Sequence, residues 1–184
     1  MYAALELYLA TEDPAYHDEF IKHAEFLLDG SGWPQQYHQI WWNLNTIRDG
    51  MFFAPYFFGY LTTDLPVDAD IADGLRQLLK NKADRGIQVL NSQPYPLGDA
   101  QGLAWGTATN QGRYAEPMIL MYRLTHDQTY LDAVSQLADY ALGLNPLGKS
   151  YVTGLGENPP NNPLQLNSYF THQRGLGNVP GLVV

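Results

Sequence analysis

Apolar residues recur along this chain at helical spacing, in blocks separated by turn-forming residues. After Asp13-Pro14, the residues Tyr16, Phe20, Ala24 and Leu27 make one stripe, as an amphipathic helix requires. A later block gives the equivalent stripe through Tyr130, Val134, Leu137, Ala138 and Ala141. Between them, Asp68 to Leu90 is apolar at Ile71, Leu75, Leu78 and Leu79. Thr46 to Leu61 is denser, with Met51, Phe52, Phe53, Tyr56, Phe57 and Phe58 nearly continuous. A helix apolar on most sides is expected to be buried on most sides. Alternating strand patterns are nearly absent. The pattern predicts an all-α fold of about six helices in three hairpins.

Two of the blocks are copies. Tyr8-x-x-Thr11-x-Asp13-x-x-Tyr16-x-Asp18 recurs as Tyr122-x-x-Thr125-x-Asp127-x-x-Tyr130-x-Asp132, and Ala24 and Leu28 match Ala138 and Leu142 at the same offset. A weaker copy, Tyr60-x-x-Thr63-Asp64, lies midway. Each reads as helix, tight turn, helix. Asp13 is placed to cap the second helix, with Pro14 at the first helical position, where its missing N–H is harmless. Repeated hairpins bury their stripes against neighbouring hairpins, which implies a solenoid or part of a toroid.

Composition narrows the partners. At 184 residues the chain can bury roughly 70% of its unfolded surface as one domain. A net charge of −9 with scattered basic residues argues against nucleic acid. No apolar run reaches the ~18 residues of a membrane span. Met1 to Ala10 lacks the features of a signal peptide, so the expectation is a cytoplasmic protein or a secretion signal lying upstream. There is no cysteine. The histidines His17, His23, His38, His126 and His172 are too dispersed for a metal site, and no cofactor motif is found. The 13 Tyr, 7 Phe and 4 Trp suit a packed core first and the apolar faces of sugar rings second.

From Asp139 the chain reads DYALGLNPLGKSYVTGLGENPPNNP. Gly143 and Asn145-Pro146 are expected to end a helix, and the glycines that follow let the backbone turn tightly beside a ligand. This run resembles an active-site loop of glycoside hydrolase family 9, whose pattern is N-P-x-G-x-S-Y/F-V-T-G-x-G, then a Pro and a His-x-Arg. Asn145, Pro146, Gly148, Ser150, Tyr151, Val152, Thr153, Gly154, Gly156, Asn158 and Pro163 fall in register. Val179-Pro180-Gly181-Leu182-Val183 resembles the start of the family's V-P-G-x-L-V-G-G-P loop. Trp105-Gly106 followed by a helix fits the family's order of elements. The resemblance is clear over roughly residues 104 to 184 and only architectural before them.

It implies that residues 1–184 are a single partial domain, about half of a six-hairpin (α/α)6 toroid. The long loops before Trp105 and after Asn145 would meet at one end. The implied activity is inverting hydrolysis of a cellulose-like β-glucan, by a parent protein that is secreted or periplasmic. In the family an Asp base and a Glu acid stand on opposite sides of the bond, ~6.5–9.5 Å apart. Neither motif is found here. Asp99, Glu116 and Glu157 are the carboxylates nearest the loops, and their spacing marks no matched pair. The chain alone is therefore expected to be inactive, and to associate with the rest of the domain or with itself through exposed hairpins.

One departure bears on the site. Where the family has His-x-Arg directly after Pro163, this chain has Leu164-Gln165-Leu166, and His172-Gln173-Arg174 follows eight residues later. Either an insertion has carried the pair to His172 and Arg174, or the pair is lost and Gln165 remains as a polar contact. The resemblance implies His172 and Arg174 as catalytic-site residues, and Trp41, Trp105, Tyr151, Asn158 and Gln165 as substrate contacts. Trp33, Tyr37 and Trp42, beside Trp41, stand in a connection between hairpins that also suits sugar stacking. Other readings are a non-catalytic carbohydrate-binding derivative of the fold, another toroidal sugar enzyme, or a helical scaffold for protein partners. The last fits poorly with long aromatic, Gly-rich loops.

Overall fold

The repeated phrase folds the same way twice. In a computed structural model, which describes residues 1–29, 54–97, 112–161, 163 and 165–183, helix α1 (Tyr2–Thr11) turns into α2 (Pro14–Asp29). The Thr11 hydroxyl donates to Leu7 O at 2.7 Å and accepts from Asp13 N at 3.4 Å, while Asp13 Oδ1 accepts from Ala15 N at 2.9 Å. Glu12 between them takes a left-handed φ of 61°. Helix α5 (Gly112–Thr125) turns into α6 (Gln128–Leu142) with the same set of bonds. Thr125 donates to Met121 O at 2.8 Å and accepts from Asp127 N at 3.2 Å. Asp127 Oδ1 accepts from Thr129 N at 2.9 Å, and His126 has φ 56°. Thr closes the first helix, Asp opens the second, and the residue between them reverses the chain.

Contacts divide the chain into two units, Met1–Lys82 and Ala83–Val184. In the first, the α1–α2 hairpin meets a 3-10 turn (Ala54–Phe57), α3 (Phe58–Thr62) and the start of α4 (Ala69–Ser92). Leu5, Phe20, Ala24, Phe57, Tyr60, Ile71 and Leu75 form the core. A methyl on Gly74 would sit 2.6 Å from Leu28 Cδ1, so the Leu28 side chain of α2 packs directly onto α4 at that point. Asp68, rather than the midway Asp64, caps α4, accepting from Ile71 N at 3.0 Å.

In the second unit, the α5–α6 hairpin buries Met118, Met121, Tyr130, Ala133, Leu137 and Tyr140. The Tyr130 hydroxyl donates to Asp84 Oδ1 on α4 at 2.8 Å, and burial together with that carboxylate pushes its ionisation far above the ordinary phenol range.

The all-α expectation holds among the described residues, with seven α-helices and one isolated antiparallel bridge, Val152 to Val183. Three details differ. The inner face of α6 runs Tyr130, Ala133, Leu137, Tyr140, leaving Ala138 exposed, because that residue lies one step round the helix from Leu137. Of the dense block, Thr46 to Phe53 lie outside the described residues. Its described part is a 3-10 turn and a single-turn helix that bury Phe57 and Tyr60 but expose Tyr56. Finally, α7 (Leu166–Gln173) stands where only a loop was expected.

Candidate functional site

Past α6 the chain leaves regular structure, and buried polar side chains take over the work of holding it. Gly143 ends the helix at φ 138°, and Leu144 N returns to Asp139 O at 2.8 Å. Asn145 is buried and fully engaged. Its Nδ2 donates to Tyr140 O at 2.8 Å and Lys149 O at 2.7 Å, while its Oδ1 accepts from Leu147 N at 3.1 Å. One amide thus fixes both the helix end and the Pro146–Gly148 turn. Ser150, also buried, accepts from Val152 N at 3.0 Å.

Thr153 is fully buried and joins this loop to the Val179–Leu182 segment. Its hydroxyl donates to Val179 O at 2.6 Å and accepts from Leu182 N at 2.9 Å, while its backbone exchanges bonds with Leu182 O and Gly181 N. Beside it, Gly154 has φ 69°, and a Cβ there would come within 3.2 Å of Pro180. The positive φ favours glycine at that position, and Pro180 leaves little room for a side chain.

Helix α7 sits between the two segments. Gln165 caps it, Oε1 accepting from Ser168 N at 2.6 Å. The buried Ser168 hydroxyl accepts from Val179 N at 3.0 Å, and Thr171 donates to Gly177 O at 2.7 Å. Asn178 donates to Asn161 O at 2.6 Å. The two loops that carry the sequence resemblance are therefore one hydrogen-bonded platform.

On that platform the expected site residues have different positions. Tyr151 is half-buried, its ring edge-on to Tyr140 at 5.8 Å. Burial and a hydrogen bond to Tyr151 push the Tyr140 phenol up to about 12. Asn158 is exposed and takes a left-handed φ of 53°, a conformation that Asn tolerates better than most residues. Gln165 lines an open groove of about 350 Å³ with Pro163, Leu166 and Tyr169. His172 and Arg174 are exposed at the far end of α7, and neither has a side-chain partner among the described residues.

Glu116 and Glu157 are exposed. Trp33, Tyr37, Trp41, Trp42, Asp99 and Trp105 lie outside the described residues, as does the loop before Trp105. Among the described residues no group of three or more His, Asp or Glu is placed to hold a metal ion, and no helix is long and apolar enough to cross a membrane. Sequence reasoning missed Tyr169 and Ser168. The signal was present: Leu166, Tyr169 and Phe170 follow Gln165 at helical spacing.

The family model for glycosyl hydrolase family 9 matches residues 1–180. The chain belongs to that family. The likeness thus begins at the first helix, well before residue 104, where the motifs alone had made it clear. Among family 9 relatives, a xyloglucan-specific endo-beta-1,4-glucanase of Bacteroides ovatus is 31% identical over 172 residues, covering 88% of this chain and 26% of that protein. Endoglucanase C of Cellulomonas fimi is 27% identical over 181 residues, covering 94% and 14%. A metagenome-derived family 9 endoglucanase matches in structure with a TM-score of 0.76 and 30% identity, over 99% of this chain and 30% of that one. The family 9 endoglucanase J30 matches with a TM-score of 0.74 and 26% identity. The chain thus spans between a quarter and a third of that glucanase and of the two solved endoglucanase structures.

Proposed function

We propose that this chain is the loop-bearing part of a glycoside hydrolase that cleaves β-linked glucan internally and with inversion. The supporting observation is the platform of residues 143–183, in which Thr153 ties the two family 9 loops together and Asn145 fixes the first of them to the end of α6. Residues 1–184 form part of one (α/α)6 domain in this reading. Tyr151, Asn158 and Gln165 contribute substrate contacts, and Trp41 and Trp105 add stacking surfaces. His172 and Arg174 face the reacting sugar, Arg174 offering a guanidinium for charge-assisted contacts.

The acid and base carboxylates belong to other parts of the domain. Without them the leaving oxygen is not protonated and water is not activated, each step being worth roughly 10²–10⁴ in rate. Sugar binding alone leaves the barrier standing, because uniform binding does not raise turnover. The 184-residue chain is therefore inactive by itself. It associates with the rest of the domain, or with itself, through apolar side chains such as Tyr2, Leu7 and Tyr56, which are exposed here.

The test assays the isolated chain and the full-length parent on cellulosic, mixed-linkage and xyloglucan substrates, with NMR of the first-formed anomer. The expected result is rapid internal cleavage by the parent, with inversion, and none by the chain. In the parent, Arg174→Ala should lower kcat/KM by roughly 10–100-fold, the range of a lost charged hydrogen bond. Retention of configuration, or turnover by the chain alone, overturns the reading. Leu164-Gln165-Leu166 favours a second reading, a carbohydrate-binding derivative without turnover. A parent that binds glucan but releases no sugar would establish it.

A further inference from the structure

The groove at the start of α7 contains chemistry that Gln165 alone does not account for. Tyr169 and Leu166 are 56% and 73% exposed, which is unusual for an aromatic and a leucine side by side on a well-anchored helix. The helix itself is held in place by Ser168 and Thr171, one residue before Tyr169 and two after it. Tyr169 is thus exposed on a fixed support, its ring 5.5 Å from that of Phe170 and at 72° to it. Gln165, the residue that caps the helix, lines the same groove as Tyr169. Because its Oε1 is occupied by Ser168 N, its amide presents N–H donors, with no partner among the described residues.

We propose that Tyr169 is the stacking platform of a subsite for a neutral pyranose ring, with Gln165 donating to a ring hydroxyl. The proposal rests on the carbohydrate reading above and narrows it. A flat ring bordered by leucine and proline matches the axial C–H face of a β-linked hexose, and an amide donor matches its equatorial hydroxyls. The groove of about 350 Å³ falls within the size of small-ligand sites, which are mostly apolar with a few placed polar groups. Among the described residues its lining, Pro163, Gln165, Leu166 and Tyr169, carries no charge. A uronic acid would bring an unpaired carboxylate against that lining, at a desolvation cost. The chain's net charge of −9 adds repulsion at longer range. Leu166, where the family pattern has Arg, therefore makes a stacking edge for uncharged sugar.

The experiment titrates the 184-residue chain and its variants with cellotetraose, a xyloglucan oligosaccharide and trigalacturonate, by calorimetry and tyrosine fluorescence. The expected result is binding of the neutral sugars and not of the uronate, weakened about 10-fold or more by Tyr169→Ala and about 3-fold by Gln165→Ala. Tyr169→Phe and Tyr169→Trp keep a flat ring and retain or strengthen binding, which separates stacking from a folding defect. Circular dichroism checks that each variant keeps its helices. Neutral sugars bound equally by wild type and Tyr169→Ala would overturn the subsite while leaving the carbohydrate reading in place. Binding of trigalacturonate alone would overturn the neutral preference and the glucan assignment, and binding of none of the three would overturn both readings.

Discussion

The α1–α2 and α5–α6 hairpins and the platform of residues 143–183 are held by different physics. The hairpins bury apolar stripes, Phe20 and Ala24 on α2, Leu137 and Tyr140 on α6. Such burial is worth about 25 cal/mol per Å² and has no preferred direction, so any residue of similar size at the same period serves. The platform instead buries Asn145, Ser150, Thr153 and Ser168, and each bonds to backbone groups that have no ladder of their own. A hydrogen bond is directional, and its loss leaves its partner unsatisfied in the interior. The hairpins should therefore tolerate substitution by size, and the platform should not.

Thr153→Val puts the largest strain on that contrast. Valine has nearly the same shape, so no cavity opens, but Val179 O loses its donor and Leu182 N its acceptor. Each buried group left unpaired costs ~1–3 kcal/mol. The variant should lose ~2–4 kcal/mol by denaturant titration while its far-ultraviolet circular dichroism stays helical, because α5 and α6 do not depend on the bond. A Leu137→Met exchange on the hairpin, conserving volume, should cost less than ~1.5 kcal/mol. Equal losses in the two variants would remove the distinction.

That contrast also explains which parts were readable beforehand. Period and repeat exposed α2, α4 and α6, because Ile71, Leu75 and Leu79 or Tyr130 and Leu137 repeat at the spacing of the helix itself. The turn phrase was legible because Thr11 and Asp13 bond only to neighbours in sequence. Thr153 was visible as a member of a family motif, but its partners Val179 and Leu182 lie far along the chain, and no local pattern encodes them. The same holds for Ser168 and Val179. His172 and Arg174 were legible as a spacing alone. The structure puts them at the C-terminal end of α7, and Gln165 with the groove at its start.

In alkaline solution the comparison takes another form. Tyr140 joins the two regions, its ring buried on α6 and its carbonyl accepting from Asn145. Burial and the Tyr151 hydrogen bond raise its phenol from the ordinary 10.0 to about 12. The folded state thus holds the proton more tightly than the unfolded chain. The stability this provides is fully present below pH 10.0 and is lost as pH rises through about 12. Tyrosinate absorbance near 295 nm should show a component titrating near 12 that Tyr140→Phe removes, while the still higher Tyr130 remains. The same variant should flatten the fall of stability between those pH values, and an unchanged profile would mean that the phenol is not held as described.

The smallest effect concerns the two turns, and it asks whether they are independent of their surroundings. Asp13 and Asp127 each accept one backbone N–H at 2.9 Å in the first turn of the following helix. Replacing such a cap with alanine costs ~1 kcal/mol. If the turn is a self-contained module, Asp13→Ala and Asp127→Ala should each lose about that amount. The double variant should lose the sum to within ~0.3–0.5 kcal/mol, as separate sites do. One asymmetry is expected. Pro14 at the first position of α2 fixes its own φ near the helical value, whereas α6 begins with Gln128. Entry into α2 is thus partly organised without the cap, and Asp13→Ala should be the milder of the two. A loss above ~2 kcal/mol at one site with none at the other would show that tertiary packing, rather than the local phrase, sets the turn. The repeat would then mark a shared position in the fold and not a shared mechanism of folding.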